Sequence, residues 1–305
     1  MGKKIVFMGT PKFAVPTLEV LARSNYEIEC VYTQSPKKSL RGQKVNQTPV
    51  HLASSKLKLK VRTTSLVSEE EYSYFKSLKP FIVIVVAFGQ IIPKKYLNLS
   101  EMGFINVHAS LLPKWRGAAP IQRSIINQDK ETGISIMKIE EDLDAGPCMK
   151  QVKVKIDDET TTKSLSKKLS ELAAENIIDC IKLIEKGKDK FVNQDHSKAT
   201  YAKKIKKSES KITWKQKAKE VLSKINGLNP FPGAWFNYNG SRYKIWKAEI
   251  STLKGEPGTV LDETLTVACE DNSIKVLEIQ KEGKNKLPIN NFIAGTKIPK
   301  GTKII

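Results

Sequence analysis

Three side chains carry most of the chemistry that this sequence offers. Asn106 and His108 lie two residues apart in INVHASLLPKWRG, and Asp144 sits in EEDLDAGP. In an extended strand alternate side chains share a face, so Asn106 and His108 project together while Val107 turns to the opposite side. Pro113 has no N–H for a ladder and ends the strand soon after them. Asp144 stands between Leu143 and an Ala-Gly-Pro turn, where the backbone has little freedom. An amide donor, an imidazole and a carboxylate together suit acyl-type transfer to an amine. The attacking amine must shed a proton, the carbonyl oxygen gains negative charge, and the leaving nitrogen must be protonated. Taken singly, His108 reads equally as a satisfied half-buried histidine and Asp144 as a turn former. Ser110 lacks the Gly-x-Ser-x-Gly elbow that would expose a nucleophile. His51, His108 and His196 are too dispersed for a metal-ligand pattern, and neither a Walker loop nor G-x-G-x-x-G occurs.

These side chains need strands to aim them, and the first part of the chain alternates strand and helix patterns. KIVFMGT reads as a strand, VPTLEVLARS as a helix with Leu18, Leu21 and Ala22 on one face and Asn25 as its stop, and IECVYTQ as the next strand. Ser68 and Glu71 have capping-box spacing, and Phe81 to Phe88 is an apolar run followed by the strands GFINVHA and GISIMKIE. Such alternation predicts βαβ units in a largely parallel, Rossmann-like sheet, which places ligands at the carboxyl ends of its strands. A helix over 163–186 carries Leu165, Leu169, Leu172, Ile177, Ile181 and Ile184 on one side and closes a first domain, 1–189. A basic linker, 190–206, follows. Beyond it RYKIWKAEI, TLTVACE and IKVLEIQ, spaced by Gly, Pro and Asn, predict a small OB-like antiparallel β-barrel over 207–305.

The charge balance points outward, to a partner. The 305 residues hold 52 Lys and Arg against 32 Asp and Glu, a formal charge of +20. From Lys190 onward 22 basic residues face 11 acidic ones, so the smaller domain is the more densely basic. That surplus favours a polyanion through the long-range field, with an ordinary lysine-rich solvated surface as the plainer account. Cys30, Cys148, Cys180 and Cys269 form no Cys-x-x-Cys pair, which argues against a disulfide framework and fits a reducing cytoplasm. The longest apolar run, FIVIVVAFG, is far shorter than the ~20 residues of a spanning helix, and the start of the chain has no signal-peptide pattern.

NVHASLLPKWRGAAPIQRSI together with TGISIMKIEEDLDAGP resembles the formyltransferase family that uses 10-formyltetrahydrofolate. The resemblance implies that Asn106, His108 and Asp144 are the catalytic set, that Ser110, Leu111, Leu112 and Pro113 belong to the folate site, and that the backbone of Phe88, Gly89 and Gln90 in VVAFGQIIP lines the pterin pocket. It extends through FMGTPKFAVPTLEVL, NPFPGAWF and LEIQKEGKNKLPINNFIAGT to those members whose acceptor is the α-amine of methionyl initiator tRNA. On that likeness TQSPKKSLRGQKVNQTPV resembles a basic loop that engages the acceptor stem, so Lys37, Lys38, Arg41 and Lys44 are expected to contact tRNA, as are Lys203, Lys204, Lys206 and Lys207 before the second domain. Ser35-Pro36 and Leu40 depart from the usual loop pattern, and Asn226 stands where the family often has arginine. The expected enzyme is a cytoplasmic monomer with a folate co-substrate and no metal. Its rivals are transfer to a different amine, such as an amino sugar or a glycinamide ribonucleotide, hydrolysis of the donor, or a binding module without catalysis.

Overall fold

A computed structural model describes residues 2–39 and 44–304. Two compact units divide the chain: 1–120, 132–154 and 166–202 form the first, and 121–131, 155–165 and 203–305 the second. In chain order the elements to Ala202 are β1 (Lys4–Gly9), α1 (Val15–Ala22), β2 (Glu27–Tyr32), β3 (Lys37–Ser39), β4 (Lys44–Asn46), α2 (Pro49–Lys56), β5 (Val61–Arg62), α3 (Glu69–Leu78), β6 (Ile82–Val86), α4 (Lys94–Leu97), β7 (Phe104–His108), β8 (Arg116–Gly117), α5 (Pro120–Ile126), β9 (Glu131–Lys138), β10 (Cys148–Lys155), α6 (Thr162–Glu185) and β11 (Tyr201–Ala202).

The first unit is built on a sheet of order β10-β9-β7-β6-β1-β2-β5. β5, β2, β1, β6 and β7 run parallel, and β9 joins β7 antiparallel. All five residues of β6 are buried, which is why Ile82–Val86 reads as an unbroken apolar run rather than an alternating one. Ser68 caps α3 by accepting from the Glu71 amide, as its spacing predicts. Leu18 and Leu21 are buried on α1, and on α6 the apolar side is buried from Leu165 to Ile184, with Gly187 at positive φ just past its end. From β1 the chain first builds outward through β2 to β5, then crosses back to β6 and β7. The carboxyl ends of β1, β6 and β7 therefore meet at the reversal of strand order.

The second unit adds α7 (Ala218–Gly227), β12 (Ala234–Tyr238), β13 (Ser241–Ser251), β14 (Thr266–Ala268), β15 (Ser273–Lys281), β16 (Leu287–Pro288) and α8 (Ile289–Gly295). Its antiparallel sheet, β12-β13-β15-β14 with β16 on β15, curls as a half-barrel. Trp214, Val221, Ile225, Phe236, Tyr243, Ile274 and Phe292 fill its core, with Phe236 and Tyr243 stacked at 5.5 Å. Asn226 is buried and donates to the Asp158 carbonyl at 2.7 Å, so the residue standing in place of arginine has a structural partner.

The division departs from the expected linker at 190–206. Residues 190–202 pack into the first unit: the Arg116 amide donates to the Thr200 carbonyl at 2.8 Å, and the Ala118 and Ala119 amides donate to Ala202. A polar, lysine-rich segment reads as a connector because its contacts are backbone hydrogen bonds, which carry no apolar period. The second unit also recruits 121–131 and 155–165 from earlier in the chain, which no local pattern signals.

Candidate active site

β7 presents Asn106 half-buried and His108 only 6% exposed on one face, while Val107 packs on the other. Asp144 comes from the loop between β9 and β10. Its backbone is left-handed, at φ 50°, and the loop returns so tightly that a Cβ on Gly146 would lie 2.2 Å from the Lys138 carbonyl oxygen. Only glycine permits that turn, and the turn delivers the carboxylate to β7. Asn106 Nδ2 donates to Asp144 Oδ1 at 3.4 Å, His108 Nδ1 lies 3.5 Å from Oδ2, and the Gly117 amide donates to Oδ2 at 2.8 Å.

His108 Nε2 lies 2.8 Å from the Trp115 carbonyl oxygen. A carbonyl only accepts, so Nε2 carries a proton. Nδ1 then faces the Asp144 carboxylate. The three side chains expected from the sequence thus converge at the end of β7.

The loop after β7 is framed by Ser135. Its hydroxyl donates to the Ser110 carbonyl at 2.7 Å and accepts from the Leu112 amide, and Gln151 Nε2 donates to the Leu112 carbonyl at 2.7 Å. The Ser110 side chain is fully buried and donates to the Lys114 carbonyl, and Leu112 is buried as well. The side chains of Ser110 and Leu112 pack within the loop, and Leu111 and Pro113 are part-buried. Beyond β6, the Phe88 carbonyl is held by Thr10 Oγ1 at 2.7 Å, and the Gly89 carbonyl by Gln34 Nε2 at 2.9 Å. Gly89 adopts φ 77°, and a Cβ there would lie 2.4 Å from Gln34 Nε2. Ala87 and Gly89 are exposed, and Phe88 is buried between them. This fixed backbone ends in Ile91 at 90% exposure.

Residues 3–181 match the family described as formyl transferase, and residues 204–297 match its C-terminal domain. The chain belongs to the formyl transferase family. Relatives include a methionyl-tRNA formyltransferase from Pelagibacter ubique, 53% identical over 307 residues and spanning 100% of this chain and 99% of that one. One from Rhodopseudomonas palustris is 40% identical over 309 residues and covers both chains in full. Among solved structures, an N-formyltransferase from Helicobacter canadensis, in complex with folinic acid and dTDP-3-aminofucose, superposes with a TM-score of 0.70 at 20% identity, covering 92% of this chain and 100% of that one. That last likeness speaks to the fold alone. Formyl transferases of this family use 10-formyltetrahydrofolate as formyl donor.

In this formyl transferase the basic positions fall on two different units. Lys37, Lys38 and Lys44 lie on the antiparallel hairpin β3–β4, whose base is pinned by a 2.7 Å bond between Thr33 and Thr48; Arg41 lies outside the described residues. Lys203, Lys204, Lys206 and Lys207 are exposed in the second unit, and among the described residues none of them forms an ion pair. Arg123 holds their backbone. Its Nε donates to the Lys203 carbonyl at 3.0 Å, and its guanidinium pairs with Glu209, whose Oε1 accepts from the Lys206 amide at 2.7 Å. This pairing with Arg123, partly offset by burial, holds the Glu209 carboxyl below the ordinary range.

Sequence reasoning missed the groups that hold the site: the Gly117 amide, the Trp115 carbonyl, Ser135, Gln151 and Gln194. Backbone donors have no side-chain signature. The Trp115-Arg116-Gly117 segment reaches His108 through the Trp115 carbonyl and Asp144 through the Gly117 amide. Among the described residues no cluster of three His, Cys, Asp or Glu could hold a metal, and no helix is long and apolar enough to cross a membrane.

Proposed function

We propose that this enzyme transfers the formyl group of 10-formyltetrahydrofolate to the α-amine of methionyl initiator tRNA, as a cytoplasmic monomer. The reading is carried by the convergence of Asn106, His108 and Asp144 at the end of β7, beside the fixed backbone of 87–90. In balance, a bond forms between the amine nitrogen and the formyl carbon, the bond from that carbon to N10 breaks, one proton leaves the amine and one ends on N10. Asn106 Nδ2 donates to the formyl oxygen as it gains negative charge, a contribution of about 3 kcal/mol in comparable sites. Asp144 accepts the amine proton, directly or through water. His108 shares that proton through Nδ1 and holds the carboxylate in place together with the Gly117 amide. No metal is required by this set.

A tRNA acceptor is supported by the exposed Lys203, Lys204, Lys206 and Lys207 and by Lys37, Lys38 and Lys44 on the β3–β4 pair, Arg41 lying outside the described residues. A small-molecule amine gives no reason for either. The deciding assay offers the folate donor with charged initiator tRNA, charged elongator tRNA, free methionine and an amino sugar nucleotide. Rapid formylation of the initiator tRNA is expected; preferential formylation of the sugar or of free methionine would refute the assignment.

A further inference from the structure

We infer that Gln194 is the positioning residue of the active site, joining the two loops that fix Asp144 and His108, with Arg116 setting its orientation. The argument starts from hydrogen-bond inventory. An arginine only donates, and Arg116 Nε and Nη2 reach the same Gln194 atom at 3.1 and 2.7 Å, so that atom is the amide oxygen. The amide nitrogen then faces the Asp144 carbonyl at 2.9 Å and the Gly146 carbonyl at 2.7 Å, two groups that only accept. All four hydrogen bonds of the side chain are used, and no flipped arrangement satisfies them.

The two loops so joined are those that hold the reacting groups. On one side, Trp115 supplies the carbonyl for His108 Nε2 and Gly117 the amide for Asp144 Oδ2, and Arg116 lies between them in the chain. On the other side lies Asp144 itself, at a left-handed backbone angle that an L residue adopts only when its surroundings hold it there. Gln194 and Arg116 are 8% and 4% exposed, so water does not replace these bonds. His196 Nδ1 lies 3.3 Å from the same Arg116 Nη2. A carboxylate must be aimed to a fraction of an ångström for proton transfer, and a displacement of about 1 Å costs on the order of a hundredfold in rate.

The inference rests on the formyl-transfer reading, and its test separates the two. Gln194→Glu keeps the volume and the oxygen for Arg116 but turns a second oxygen onto the carbonyls of Asp144 and Gly146; Gln194→Ala removes both contacts. Wild type, both variants and Asn106→Ala are assayed at saturating donor and initiator tRNA, with folate dissociation constants, folded fraction by circular dichroism, and 15N NMR of the imidazoles. The chain has three histidines, so the His108 signals are tractable. The expected result is a fall in kcat of about tenfold to a hundredfold in both Gln194 variants. Folate affinity and KM stay within about twofold of wild type, and the protected Nε2 proton of His108 is lost. A folded Gln194→Glu with wild-type kcat, or variants whose kcat falls only in proportion to folded fraction with the His108 signal unchanged, overturns the positioning role. If wild type does not formylate the tRNA at all, the functional reading itself has failed; if Asn106→Ala is inactive and Gln194→Glu is not impaired, only this inference has.

Discussion

At the scale of single residues the site divides into groups that touch the reacting atoms and groups that hold them. Asp144→Asn retains the shape of the side chain and the bond from Gly117 but removes the proton acceptor and reverses the preference at Asn106 Nδ2, which would then face a donor or a weaker acceptor. We expect kcat to fall by about a hundredfold or more, within the range that general base catalysis contributes, while folate affinity is preserved. Steady-state kinetics with folate titration check this, and an unchanged kcat would remove Asp144 from the reaction. Glycines in the site are equally exacting. At Gly133 in β9 a Cβ would lie 2.0 Å from the Val152 carbonyl oxygen and 2.6 Å from Leu111, so Gly133→Ala must push β10 or the 110–113 loop aside. A loss of about 1–3 kcal/mol in denaturant unfolding is expected.

At the scale of elements the edge of the parallel sheet is tied by a buried charge network. Tyr32 donates to Glu71 Oε1 at 2.6 Å from β2, Arg62 Nε donates to the same oxygen at 2.7 Å from β5, and Glu71 itself belongs to α3. Burial pushes the Glu71 carboxyl up, but hydrogen bonds from Arg62, Thr64 and Tyr32 outweigh it and hold it below the usual carboxylate range. A depressed native value means the stabilisation is fully present above the unfolded pKa, near 4.3, and is lost as pH falls through the lower native value. The stability difference between wild type and Glu71→Gln should therefore be largest at neutral pH and shrink as pH drops below about 5, measured by urea unfolding across pH. A difference that grows on acidification would contradict the network. In the second unit Arg123→Ala should free the 203–209 segment, seen as lost hydrogen-exchange protection at the Lys206 amide, because its bidentate partner Glu209 would no longer be held.

At the scale of the molecule the proposed tRNA acceptor is tested through charge. If Lys203, Lys204, Lys206 and Lys207 each neutralise a phosphate, changing all four to glutamine should flatten the dependence of log affinity for tRNA on log salt by about 3, while kcat at saturating tRNA changes little. An unaltered slope would place the phosphate contacts elsewhere.

The sequence by itself determined the parallel sheet and an antiparallel second unit, and its resemblance to the formyl transferases singled out Asn106, His108 and Asp144, which the fold brings together. The elements rest on local signals: an apolar run for β6, a period of two for β7 and a cap at Ser68. Only the tertiary structure decided what holds that set in place. Gln194 lies 50 residues from Asp144 and 78 from Arg116, within a stretch that reads as a polar linker, and its role exists only because folding brings two carbonyls and a guanidinium around one amide. The same holds for the division into units, where 121–131 and 155–165 join residues far along the chain. Local patterns record which face of an element is apolar; buried hydrogen bonds between distant loops leave no period, because their partners are chosen by geometry after the elements have packed.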